Sequence, residues 1–125
     1  YRDVHRDTAK LLGQKHMAVF KGEGGEVERR PQKPVLVQSL HRGVLSEEEW
    51  PAMLSEDKIK IDDTMDIKRL KTVWNGEEED VYATAAITGT TAIVLRLIGQ
   101  ATSPFNAIEL AKKMWSERVT SWIEN

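Results

Sequence analysis

Between Met17 and Pro34 the chain sets three glycines, Gly22, Gly24 and Gly25, among three carboxylates, Glu23, Glu26 and Glu28, and follows them with Arg29, Arg30 and Lys33. Glycine lets the backbone reach positive φ and lets another group come close to the main chain. Arginines beside such a turn can hold a diphosphate or a nucleic-acid backbone through charge-assisted hydrogen bonds. The stretch therefore reads as a ligand-facing loop, with Lys21, Gly22, Gly24, Gly25, Arg29, Arg30 and Lys33 as candidate phosphate or nucleic-acid contacts. A solvated polar connection fits the same composition, because loops lie on the surface and short motifs are weak on their own.

Two extended segments must position this loop. The apolar run Met17 to Phe20 ends abruptly at Lys21-Gly22, and Val35 to Leu40 has the β-branched content and length of a mostly buried strand. Pro31 and Pro34 stiffen the return between them. Two strands bury too little apolar surface alone, so further strands or a second copy of the chain are expected to complete the sheet.

Helical signals surround the pair. Val4, Thr8 and Leu11 share one face of a helix over Asp3 to Leu12, with Gly13 placed to cap it. Leu45 to Trp50 matches a capping box, Ser46 as N-cap with Glu49 at N3 and Leu45 stapled to Trp50, and predicts a short helix. Ser55 to Thr64 reads as an irregular connection with a brief extended piece at Lys58 to Ile61. A helix from Asp66 places Ile67, Leu70 and Trp74 together and stops at Asn75-Gly76.

Glu77 to Asp80 loads acid onto the start of a helix over Val81 to Ile98, whose expected apolar stripe is Ile87, Val94 and Ile98. Ser103-Pro104 opens the final helix, with Ile108, Ala111, Trp115, Val119 and Trp122 on one face. Its tryptophans read as packing rather than as a base-stacking platform. His5, His16 and His41 show no ligand spacing, and Lys68, Arg69 and Lys71 read as a solvated helix face.

Length and composition bound the rest. One domain over 1–125 is the expectation for a chain of 125 residues. A net charge of −2 supplies no global basic field for nucleic acid, and the absence of cysteine excludes disulfides and thiolate metal sites. A cytoplasmic protein without a membrane role fits both. The chain starts at Tyr1 without a methionine and is expected to be an excised or processed portion of a longer protein.

The order of strand, Gly-acid-Gly-x-acid loop, basic pair, Pro-x-x-Pro and second strand, followed by the later helices, resembles the anthranilate phosphoribosyltransferases and their glycosyltransferase relatives. The resemblance covers nearly the whole chain and implies an α/β fold: the C-terminal part of the α/β domain shared with pyrimidine nucleoside phosphorylases. In the enzymes a strand ends in His-Gly-Asp-Gly-Leu-Asp-Glu, whose last two acids help hold magnesium on phosphoribosyl pyrophosphate. Lys21-Gly22-Glu23-Gly24-Gly25-Glu26-Val27 stands in that place, with Val27 at the second metal-binding acid and Glu28 one residue later. By the resemblance, Glu23, Glu26 and Glu28 are the candidate magnesium ligands. Gly89-Thr90-Thr91-Ala92 replaces a Leu-Asn-Ala-Ala pattern of the enzymes.

Two functions follow from the resemblance. One is a share in the phosphoribosyl pyrophosphate site of a phosphoribosyl- or glycosyltransferase, in which the isolated 125-residue chain is catalytically inert because the upstream phosphate loop and substrate arginine are absent from it. The other is DNA or RNA binding without catalysis, as in a branch of the family that lacks the intact metal-binding acids. Either is expected in a homo-oligomer or in company with an upstream part of the same protein.

Overall fold

The computed structural model describes residues 1–55 and 66–122. The expected extended piece at Lys58 to Ile61 lies outside the described residues. Within them the chain is mixed α/β, with four α-helices and a three-stranded antiparallel sheet.

The sheet is built on Val35–His41 (β2), which runs between His16–Val19 (β1) and Val44–Trp50 (β3). Arg42 (φ 49°) and Gly43 (φ 80°) form the two-residue turn joining β2 to β3. Positive φ at both central positions matches the right-handed twist of the flanking strands. The helix expected over Leu45 to Trp50 is therefore corrected to a strand. Paired along all of β2, Val44–Trp50 satisfies its backbone groups in the ladder, and it sends Glu48 and Trp50 to one face and Glu47 to the other. Tertiary pairing outweighs the local capping signal.

Helices cover both faces. Arg2–Leu11 (α1) lies on one, where Arg6 pairs with Glu47 at 3.2 Å and Gln38 Nε2 donates to Asp3 and Glu47. The opposite face carries Val35, Val37 and Trp50 into the core against Val81–Leu97 (α3) and Pro104–Ser116 (α4). Arg96 on α3 grips Glu48 through Nε at 3.1 Å.

On α3 the buried positions are Ala85, Ala86, Thr88, Gly89, Ala92, Ile93 and Leu95. The stripe expected at Ile87, Val94 and Ile98 is instead exposed. Small side chains let α3 close on the sheet and on α4, and the larger residues turn outward because that face has no room for them. Its N-cap is Asp80, which accepts from the Ala83 amide at 2.8 Å.

Ile67–Trp74 (α2) starts at Asp66 as expected, but it buries Val73 and leaves Ile67 and Leu70 exposed. Arg69 on this helix reaches Glu78 and Asp80. The final helix begins at Ser103-Pro104 as expected and stops at Ser116, with Ala107 and Ala111 buried and Val119 exposed beyond it.

Arg118 clasps the ends of α2 and α4. Its guanidinium donates to the carbonyls of Trp74 (2.8 Å), Trp115 (2.7 Å) and Val73 (3.1 Å), and stacks 3.7 Å from the Trp115 ring centroid. Trp74 meets Trp115 edge-on at 5.6 Å and donates Nε1 to Val119 O. The tryptophans thus pack, as expected. One arginine thus adds donors to carbonyls at both helix ends, where Val73 O and Trp115 O also accept from the Gly76 and Arg118 amides. Arg118→Ala should lower unfolding free energy by about 1–3 kcal/mol, with Arg118→Lys recovering little because an ammonium cannot fork across three carbonyls. Urea unfolding followed by tryptophan fluorescence measures both, and full recovery by lysine would show that charge alone holds the clasp.

Candidate functional site

The loop that follows β1 is closed upon itself. Gly22 and Arg29 form an isolated antiparallel bridge, and between them the Glu26 amide donates to Glu23 O at 2.7 Å while Gly24 (φ 50°) and Gly25 (φ 94°) make the turn. Gly22 is required by space rather than by φ. A Cβ there would lie 2.0 Å from Glu26 O and 2.9 Å from Glu28 O, so the main chain crosses itself at a distance only glycine allows.

Arg29 fastens the loop to the fold. Its backbone N–H donates to Thr90 Oγ1 at 3.0 Å, and that hydroxyl passes its own proton to Ala86 O at 2.8 Å. The side chain runs over Gly89, where a Cβ would meet Arg29 Cδ and Met53 Sδ at 2.7 Å each. Its Nη2 donates to Pro51 O (2.8 Å) and Lys33 O (3.3 Å), and the residue has no exposed surface. Nε and Nη1 are buried without a partner among the described residues. Burial pushes the guanidinium down to about 10. Arg29 is therefore corrected from a surface phosphate contact to an internal strut: it reaches no solvent through which a phosphate could approach.

The other basic candidates do reach solvent. Lys21 and Lys33 are exposed, and Arg30 is partly so, with Nη1 3.8 Å from Glu23 Oε2. Tyr82, in the first turn of α3, belongs to the same neighbourhood. Burial first, then the charge of Glu23, raises its pKa, with Glu28 adding and the Gln32 hydrogen bond and Arg30 opposing. Tyr82, Gln32 and Thr90 complete the site, and sequence reading missed them. No periodicity or motif marks a tyrosine on a helix as the neighbour of a loop more than fifty residues upstream.

Among the described residues no three His, Asp or Glu side chains gather closely enough to hold a metal ion. Glu23 turns toward Arg30, Glu26 is exposed, and Val27 is 80 % exposed where a carboxylate was to stand. Glu23, Glu26 and Glu28 do not form such a group of three.

A cleft of about 740 Å³ lies elsewhere, between the segment after β3, α3 and α4, lined by Met53, Thr84, Thr88, Phe105 and Trp115. No loop residue lines it. No helix of the described residues is long and apolar enough to cross a membrane. In comparisons with known proteins, no family model and no curated protein matches this chain.

Proposed function

We propose that the chain is the C-terminal α/β portion of a glycosyltransferase-family protein of the anthranilate phosphoribosyltransferase kind, and that its Lys21–Arg30 loop forms one wall of a site for phosphoribosyl pyrophosphate or a related phosphate. The observation that carries this reading is the closed Gly22–Arg29 loop, tied to α3 through Thr90 and Gly89. A loop fixed in this way presents its glycine amides and the Lys21 and Arg30 cations in a set arrangement, so little ordering entropy is lost when an anion binds. The chain's own residues bind and orient the phosphate here. No chemical step is assigned to them.

A second reading is favoured by one specific feature. Lys21, Arg30 and Lys33 are the accessible cations around the loop, and Val27 leaves the carboxylate set one short. Cations without a metal-binding acid pair suit a nucleic-acid backbone, which is held by counterion release. One scaffold can carry either function.

Calorimetric titration of the full protein bearing this sequence separates the two. Phosphoribosyl pyrophosphate, with and without magnesium, and a short DNA duplex at several salt concentrations are the probes. Saturable binding of phosphoribosyl pyrophosphate, weakened about tenfold by Arg30→Ala, supports the phosphate site. Binding of DNA alone, with a steep salt dependence, replaces the first reading by the second. Magnesium-dependent binding that vanishes in Glu26→Ala would show a working metal site in spite of Val27.

A further inference from the structure

At the opposite end of β1 from the glycine loop, a cleft of about 520 Å³ opens between the sheet and the α3–α4 turn. Four basic side chains line it: His16, His41, Arg42 and Arg96. The register explains the gathering. His16 of β1 stands directly opposite His41 of β2, their rings edge-on at 6.3 Å, and both share the sheet face on which Arg96 meets Glu48.

No carboxylate lines the cleft among the described residues. Glu48 stands behind it and is spent on Arg96, whose Nε and Nη2 both approach Glu48 Oε2, at 3.3 and 3.1 Å. Arg42 is the excess charge. It also occupies a left-handed backbone position, φ 49°, where Asn, Asp or Gly would be favoured in such a turn.

We propose that this cleft binds the phosphate group of a small molecule, with Arg42 as principal contact and His16 and His41 closing on it as cations. Thr102 adds a hydroxyl at the rim, its oxygen accepting from Asn106 Nδ2 at 3.2 Å. A local cation excess in a chain of net charge −2 follows from this placement rather than from composition. His41 feels its surroundings from every packed element. Burial first, then Arg96 of α3, His16 of β1 and Arg42 of the turn, disfavour its charged form, against Glu48 of β3. Lys15 meets the turn through its backbone, its carbonyl accepting from Gly43 N–H at 3.0 Å. An anion seated among these groups removes their mutual repulsion, so binding and histidine protonation reinforce each other.

The test follows the imidazole resonances of the full chain by NMR during titration with inorganic pyrophosphate, inorganic phosphate, adenosine monophosphate and a short DNA duplex, from pH 5.5 to 8. Expected are saturable shifts of His16 and His41 with the small phosphates, a raised His41 pKa in the complex, and affinity at least fivefold higher at pH 6 than at pH 8. Arg42→Asn fits the turn better than arginine, so it keeps the fold while lowering affinity about tenfold. Glycine-loop variants should leave these shifts unchanged, which separates this site from the one proposed above. Absence of saturable shifts with every small phosphate, response to the duplex alone, or full affinity in Arg42→Asn would each overturn the proposal.

Discussion

Gly22→Ala should open the loop and lower unfolding free energy by about 2–4 kcal/mol, the largest glycine effect in the chain. The Cβ would lie 2.0 Å from Glu26 O and 2.9 Å from both Glu26 C and Glu28 O, and all three atoms belong to the main chain. Backbone cannot rotate aside as a side-chain tip can, so the crossing itself must separate. The Gly22–Arg29 bridge then breaks, and with it the approach of the Arg29 amide to Thr90. Gly24→Ala is the control. Its Cβ would meet nothing within 4 Å, so its cost is only the left-handed conformation at φ 50°, about 1 kcal/mol. Urea unfolding ranks the two, and hydrogen exchange at the Glu26 and Arg29 amides locates the damage. Equal losses would mean that torsion, not the close crossing, governs the loop.

What was legible in the sequence depended on how local its cause was. Ser103 caps its helix as read, and the helices that Asp66 and Asp80 cap begin where the sequence placed them, because a helix start needs only its own next turn. Met17 to Phe20 and Val35 to Leu40 are extended nearly as read, since apolar runs between turn residues have few alternatives. Leu45 to Trp50 failed because the capping box and the strand compete for the same residues. The deciding feature was Arg42-Gly43, a two-residue turn that pairs Val44–Trp50 with β2, which the arginine disguised. On α3 the reading followed large residues, whereas burial followed small ones: Ala92 is fully buried and Val94 is 50 % exposed.

The candidate site divides along the same line. Its glycines were legible because close approach and positive φ leave a compositional mark. The division of labour among the basic residues was not, because Arg29, Arg30 and Lys33 differ only in what lies across from them. Gly89 and Thr90, sixty residues on, turn Arg29 inward, while Glu23 holds Arg30 at the surface. Adjacent residues on an extended segment point to opposite sides, so one member of a basic pair can be structural while its neighbour stays available.

That division yields the second large effect. Arg29→Ala should cost about 2–4 kcal/mol of stability, since it removes a wholly buried stem and the donor to Pro51 O and Lys33 O. Arg29→Met keeps most of the stem and discards a charge that has no counterion among the described residues, so it should cost roughly half as much. The sign of the pH dependence follows from the lowered pKa. Between about 10 in the folded chain and the higher ordinary value of a free guanidinium, the unfolded state holds the extra proton, and stability contributed through Arg29 rises with pH in that window. Below it the guanidinium is charged in both states, so the difference between wild type and Arg29→Met should stay level from pH 5 to 9. Under conditions where every variant is folded, any DNA binding should keep its salt slope in Arg29→Met. Arg30→Ala and Lys33→Ala should each lower that slope by roughly one if they touch phosphates. A slope that falls in Arg29→Met as it does in Arg30→Ala would mean that the loop opens to bind, and that the buried strut is a state the ligand displaces.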